Sequence, residues 1–309
     1  MKPEYLNEII TFVKENFTIT DDAEITMETN PGTVDKIKLK KFLQSGINRI
    51  SIGIQSFDNY DLKFLTRIHN KETAIQTVLD ANEIGFDNIS IDLIFNLPKQ
   101  TREKWMSNLQ VAIDLPIKHI STYSLILERG TILNKLVLDG RVTIQDDDYD
   151  AELYEITINF LGDQGFHQYE VSNFTKPGYE CRHNNAYWRY RDYLSFGPSA
   201  HSFVDKKRWW NFSSLKRYIS EIEKKGIAVA GSEFINNEMA LNEYVMLALR
   251  SNGLDLNEFK SMFGESWLIQ KNDFLIEIEN RHLAVRSRGM LKLTKSGYAI
   301  CDEILSKLI

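Results

Sequence analysis

Apolar and polar residues alternate strictly through three short stretches of the first hundred positions: Ile25-Thr-Met-Glu28, Ile50-Ser-Ile-Gly-Ile-Gln55 and Ile89-Ser-Ile-Asp92. A period of two predicts strands near 24–28, 49–55 and 88–94, with Ile50, Ile52 and Ile54 on one face and Ser51, Gly53 and Gln55 on the other. A fourth strand is expected at 119–125, where Ile120 opposes Ser121 and Tyr123. Helical spacing fills the gaps at 5–17, 34–44, 73–84 and 101–113, and Gly85 supplies a C-cap. Asn30-Pro31-Gly32 and Leu97-Pro98 mark two of the turns. Strands alternating with helices predict right-handed βαβ units and a parallel sheet. The apolar face suits a helical layer. The small, polar face does not suit an open sheet with helices on both sides. The fold class expected is therefore α/β, a curved sheet or barrel with a polar lumen, whose chemistry sits at the carboxyl ends of the strands. Glu28, Gln55 and Asp92 fall there.

Beyond Glu128 the pattern changes. Asp146-Asp-Asp148 predicts a helix start, acidic residues favouring the positive end of the dipole, and leads into 149–161. A short strand follows at 168–171. Residues 172–212 are rich in aromatics, Asn, Gly and Pro, which predicts a long irregular segment of the functional kind. A helix is expected at 213–225. From about 237 a small module appears: helices at 238–250, 255–263 and 266–277, then Leu291-Lys-Leu-Thr294 and a helix at 295–308, a winged-helix-like order.

Charge and cysteine content narrow the function classes. A formal net charge of −6 over 309 residues argues against a phosphate-backbone binder. The segment 265–277, placed as a recognition helix would be, mixes acid and base without a basic stripe, so no nucleic-acid partner is expected. No apolar run is long enough to span a bilayer and no signal peptide opens the chain. Two cysteines, Cys181 and Cys301, make neither a disulfide framework nor a local metal knuckle, so a cytoplasmic location is the default expectation.

Two constellations carry candidate chemistry. Glu28, Gln55, Arg67 and Asp92 supply acceptors and one cation, a set able to grip a ligand bearing amine, carboxylate and ribose hydroxyl groups. Taken singly, each is better read as a strand end or helix cap; four at corresponding positions favour a ligand site. The second is Cys181-Arg-His183-Asn184-Asn-Ala-Tyr187-Trp188. A loop histidine beside two aromatics, two residues after a cysteine, can ligate haem iron through imidazole or thiolate, with flat rings lining the porphyrin. On chemistry alone the commoner reading is a surface histidine with packed neighbours. His201, in the turn-rich Gly197-Pro-Ser-Ala-His201-Ser, is a candidate partner ligand and His167 a weaker one. His69, His119 and His282 read as structural or solvated, and Trp209-Trp210 as a docking surface between the two parts of the chain.

Together these motifs resemble a known family. Ile25-Thr-Met-Glu-Thr-Asn-Pro-Gly32, Arg49-Ile-Ser-Ile-Gly-Ile-Gln-Ser-Phe57, Arg67-Ile-His69 and Ile91-Asp-Leu-Ile-Phe-Asn-Leu-Pro98 resemble the radical S-adenosylmethionine family of oxygen-independent coproporphyrinogen III oxidases. His183-Asn-Asn-Ala-Tyr187-Trp188 looks like the His-Asn-x-x-Tyr-Trp motif of its haem-chaperone branch. The resemblance implies Glu28, Gln55, Arg67 and Asp92 as S-adenosylmethionine contacts. It implies Cys181, His183, Asn184, Tyr187, Trp188 and His201 as haem-binding residues, with His183 the iron ligand. It further implies a partial (β/α) radical-SAM barrel over 1–166, an irregular haem-contacting segment and linker helix over 167–236, and a winged-helix-like α+β domain over 237–309.

The chain departs from the family in one respect. The Cys-x₃-Cys-x₂-Cys ligands of the family's [4Fe–4S] cluster do not occur in it, nor does the Gly-rich turn that follows them. The expectation is a chain that enters the barrel after its second strand, holds no iron–sulfur ligands or catalytic residue, and does no radical chemistry. Its implied role is to bind haem and pass it to haem-requiring acceptor proteins such as respiratory membrane enzymes. The alternative is radical oxidative decarboxylation of coproporphyrinogen III. A regulatory binding protein using the winged module is disfavoured by charge. An unpaired sheet edge near 24–28 predicts self-association.

Overall fold

The computed structural model describes residues 2–309, which form two compact units dividing after Glu180. The first contains α1 (Pro3–Asn16), β1 (Thr26–Thr29), α2 (Lys36–Gln44), β2 (Arg49–Gln55), α3 (Asn59–Phe64), α4 (Lys71–Ile84) and β3 (Asn88–Phe95). It continues with α5 (Arg102–Ile113), β4 (His119–Ser124), α6 (Ile132–Leu138), α7 (Asp147–Asp163), β5 (His167–Gln168) and β6 (Asn173–Thr175). The strands make one sheet in the order β1-β2-β3-β4-β6-β5. The first four are parallel, and β6 and β5 join antiparallel. Among the described residues no pairing joins β1 to β5, so the sheet is a partial barrel wall with two edges.

Local chemistry sets the helix starts. Asp35, Asp58, Asn70, Thr101, Thr131 and Asp146 each accept a backbone N–H in the first turn of the helix that follows. Gly85 closes α4 with φ of 111°, a conformation that suits glycine. The predicted apolar face is the core: Ile50, Ile52, Ile54, Ile89, Ile91 and Leu93 are fully buried and pack with Trp105 and Leu109 of α5 and Leu153 and Leu161 of α7. The Trp105 indole N–H donates to Thr157 Oγ1 at 2.8 Å, joining those two helices without leaving a buried donor unpaired. The other face is polar as expected, and much of it is buried: Arg49, Ser51, Ser90, His119, Ser121 and Asn173 all lie there or beside it with little exposure.

The second unit opens with α8 (Arg182–Trp188) and an antiparallel sheet of β7 (His201–Val204), β8 (Lys207–Asn211) and β9 (Val229–Phe234), with α9 (Leu215–Lys225) between the last two. Then come α10 (Asn237–Leu249), β10 (Leu254–Asp255), α11 (Leu256–Phe263), α12 (Ser266–Asn280), β11 (Ala284–Ser287), β12 (Met290–Leu293), α13 (Lys295–Ala299) and α14 (Cys301–Leu308). The helices and the small sheet β10-β12-β11 enclose a core of Val245, Leu249, Phe259, Leu275, Leu291 and Ile304, the winged-helix-like arrangement expected.

Several expectations need correction. Residues 172–212 are not one irregular stretch: they hold β6, α8 and the hairpin β7-β8. The strand expected at 168–171 is confined to β5, which ends at Gln168, and residues 169–172 form the turn into β6. The single helix at 295–308 is broken at Ile300 (φ −120°, ψ 30°) into α13 and α14. No helix among the described residues is long and apolar enough to cross a membrane.

Candidate functional site

In the first unit the end of β2 is shaped by an irregularity. The β2–β3 register shifts between Ile52 and Gln55, and Gln55 turns to φ of 72°. That twist brings its side chain back over Gly53. A Cβ on Gly53 would lie 2.9 Å from both Asn30 Oδ1 and Gln55 Nε2, so this floor admits only glycine without a shift. Arg67 Nη1 donates to Asn30 Oδ1 at 3.2 Å. Gln55, Arg67 and Asn30 thus converge above Gly53. Beneath them the His69 imidazole hydrogen-bonds the Ile54 carbonyl through Nε2 at 3.0 Å, and burial lowers its pKa.

Asp92 sits apart from that group, three residues before the end of β3 rather than on the rim. The register places Glu28 beside Ser51, Ser51 beside Ser90, and Asp92 beside Ser121. Ser51 Oγ donates to Asp92 Oδ1 at 3.4 Å. Burial pushes the Asp92 carboxyl up to about 6, and the Glu28 charge adds to it against hydrogen bonding from Ser121 and the Arg49 charge. Desolvation, with the Asp92 carboxylate adding to it, pushes the neighbouring Tyr123 phenol up to about 12. Glu170, just before β6, is buried and pushed up to about 7; it accepts the Ser172 N–H at 3.2 Å. His119 bridges Ser90 and Tyr169 at 2.8 Å on each ring nitrogen, and burial holds it neutral.

The four predicted residues therefore form two groups, Gln55 with Arg67 at the strand end and Glu28 with Asp92 lower on the polar face. They offer acceptors for amine and hydroxyl groups and a guanidinium for a carboxylate. Sequence reasoning missed Asn30 and Glu170. Asn30 sits in the Asn-Pro-Gly turn that was already marked; Glu170 carries no local signal. Both cysteines of the sequence, Cys181 and Cys301, are buried in the second unit, and two thiols do not fit a three-thiolate cluster.

In the second unit the motif histidine is helical, not in a loop. Cys181 is buried at the N-cap of α8, and its carbonyl accepts the Asn185 N–H at 3.0 Å. His183 is exposed, with its ring edge-on to Tyr187 at 4.7 Å; Tyr187 in turn meets Tyr193 at 4.5 Å. Beyond Tyr187 opens a cavity of about 520 Å³ walled by Tyr187, Tyr193, His201, Trp210, Met246 and Leu247. Pairing across β7-β8 sets His201 opposite Trp210, and their rings stack at 5.8 Å and 26°. Gly231 on β9 leaves room for the Trp210 indole, which a Cβ there would strike. Trp210 thus lines a cavity, whereas the sequence suggested a docking role for it. Arg208 is held by Glu233 at 3.0 Å and Glu243 at 2.7 Å. The structure brings Tyr187 and His201 together at the cavity. Among the described lining residues, His183, Asn184 and Trp188 do not appear; all three stand on α8, and His183 is separated from the cavity by the Tyr187 ring.

Comparison with known proteins agrees with this architecture. Residues 1–112 match the Radical SAM superfamily. Heme chaperone HemW of Bacillus subtilis (strain 168) is 33% identical over 291 residues, covering 94% of this chain and 77% of that protein. Heme chaperone HemW of Lactococcus lactis subsp. lactis (strain IL1403) is 29% identical over 312 residues, covering 100% of this chain and 81% of its own. Among solved structures, the radical SAM enzyme coproporphyrinogen III oxidase (HemN) from Escherichia coli superposes with a TM-score of 0.82, covering 100% of this chain and 74% of that one at 21% identity. That identity speaks for the fold alone. The sequence kinship to the HemW proteins is closer and runs nearly end to end, and the chain belongs to the HemW family within the radical S-adenosylmethionine superfamily.

Proposed function

We propose that this protein binds haem in its second unit and passes it to haem-requiring acceptor proteins, and that its first unit is an S-adenosylmethionine-binding wall. The observation that carries the haem reading is the run of rings His183, Tyr187 and Tyr193, which leads from an exposed imidazole to an aromatic cavity. An accessible imidazole next to flat apolar surface is what a haem iron and its porphyrin require. In this reading His183 is an iron ligand, Tyr187 and Trp188 flank the ring, and Asn184 shares their helix. Cys181, buried at the N-cap, sets the start of α8 rather than meeting iron. In the first unit Gln55 and Arg67 hold one part of adenosylmethionine, and Glu28 and Asp92 another. The names of the HemW relatives support the haem assignment, whereas the likeness to coproporphyrinogen III oxidase bears on fold.

Titrating hemin into the wild type and His183→Ala tests the proposal. A Soret band in the wild type, with the variant binding at least about tenfold more weakly and with a shifted band, is the expected result. Equal affinity and an unchanged band would remove His183 from the ligand role. Robust decarboxylation of coproporphyrinogen III by this chain would sink the chaperone reading in favour of the oxidase.

A further inference from the structure

We infer that the cavity of the second unit seats the tetrapyrrole ring itself, entered edge-on, with His201 as an iron ligand inside it and Arg191 holding the ligand's carboxylates at the mouth. This rests on the haem-binding reading above and assigns it a place.

The walls come first. Tyr187, Tyr193 and Trp210 are flat, and Met246 and Leu247 are aliphatic or thioether, the lining a planar apolar macrocycle needs. At about 520 Å³ the space falls within the range of roughly 300–1,000 Å³ that sites for small molecules and cofactors occupy.

The iron ligand follows from strand register. Among the described lining residues His201 carries the one imidazole, and its stack on Trp210 fixes the plane of that ring. A neutral imidazole nitrogen is a common ligand to haem iron. His183 lies outside the lining, so His201 is the imidazole that the cavity itself supplies.

Charge decides which way round the ring enters. Inside the cavity Arg208 is engaged by two carboxylates, Glu233 and Glu243, so that end carries more negative than positive charge. A ligand's own carboxylates would be repelled there. Arg191 is the other cation of the lining, with a side chain 63% exposed and only a 3.7 Å approach to Glu258. It can therefore turn to an incoming carboxylate at the solvent edge. Water screens that pair, so Arg191 contributes more to orientation than to affinity.

The test uses the full chain with two probes, hemin and metal-free protoporphyrin, and circular dichroism to check folding. Leu247→Trp fills the cavity and is expected to weaken both probes by about tenfold or more. His201→Ala is expected to shift the Soret band and to weaken hemin by more than it weakens metal-free protoporphyrin, since loss of a wall acts on both probes alike and loss of an iron ligand on hemin alone. A folded Leu247→Trp that binds both probes as the wild type does would overturn the inference. Should that variant fail to fold, His201→Ala decides: it is an exposed position, and an unchanged Soret band and hemin affinity there overturn the assignment. Weakened binding in His183→Ala with no change in Leu247→Trp or His201→Ala leaves the haem reading standing and removes the cavity from it. A wild type that takes up no hemin removes both.

Discussion

Asp92 and Glu170 ionise against their surroundings, which makes the first unit sensitive to pH in a definite direction. A carboxyl whose pKa is raised on folding holds its proton more tightly in the native than in the unfolded state. Stability is therefore greatest while both are protonated and falls as pH climbs through the interval between the unfolded and folded values. For Asp92 that interval runs from 3.8 to about 6, and for Glu170 from 4.5 to about 7, each worth roughly 3 kcal/mol at most. Urea midpoints should fall between pH 4.5 and pH 7 and level off above. Glu170→Gln should flatten the upper part of that decline and gain about 1–3 kcal/mol at pH 8, where the buried charge is otherwise complete. A midpoint that rises with pH over this range would refute the assignment. Gly53→Ala makes a separate test: its Cβ must displace the ends of the Asn30 and Gln55 side chains. Adenosylmethionine binding, followed by calorimetry, should weaken by about tenfold while the melting temperature barely moves, because those ends are flexible.

At this scale the sequence was legible where chemistry repeated with the strand period. Glu28, Gln55 and Asp92 could be seen because alternation places them on one face. Glu170 could not, because only the antiparallel return of β6 beside β4 brings it to that face. The pairing of His201 with Trp210 needed a hairpin whose turn gives no usual signal.

That turn belongs to the scale of elements. The β7-β8 hairpin closes through Asp205 and Lys206 with φ of 50° and 61°, a two-residue turn of the type that ordinarily advertises itself by glycine. Without Asn-Gly or Asp-Gly, the segment reads as loop, which is why two strands went unseen in 172–212. Lys206→Gly should relieve the left-handed strain and raise stability by about 0.5–1 kcal/mol in thermal melts, in spite of losing the exposed 3.0 Å contact from its ammonium to Asn237. Where helices carry their own punctuation, as with Asp146 and Gly85, ends were predicted to within two residues or so. The break at Ile300 was not visible because the apolar spacing of 295–308 continues through it. Gly297, just before that break, has a close neighbour instead of a special φ: a Cβ there would overlap the Leu283 carbonyl oxygen. Gly297→Ala should cost about 2–4 kcal/mol in chemical denaturation, since backbone and not a mobile side chain would have to move.

For the whole molecule the core on the apolar face of the six-stranded sheet is a separate body of packing from those of the second unit, where the winged-helix-like core and a small cluster of Phe203, Ile235 and Ala240 share Tyr190 and Phe263. Urea unfolding should accordingly show two transitions. The transition of the first unit should carry the Asp92 and Glu170 pH dependence. A single cooperative curve would speak for one folding unit. The parallel run as far as β4 was foreseen because each βα unit repeats the last; the antiparallel addition of β6 and β5 has no such repeat to announce it. With β1 at a sheet edge and only four residues long, association through that edge is expected to be weak, and sedimentation velocity across a hundredfold range of concentration checks it.

The Arg208 triad carries a consequence for timing. Glu233 from β9 and Glu243 from α10 brace one guanidinium in the cavity wall before anything enters, so occupation and departure need not wait for a wall to fold or melt. For a protein proposed to surrender its cargo, a standing receptacle keeps the exit barrier down to the contacts actually broken, and exchange can run as a relay between binding sites rather than as a refolding event.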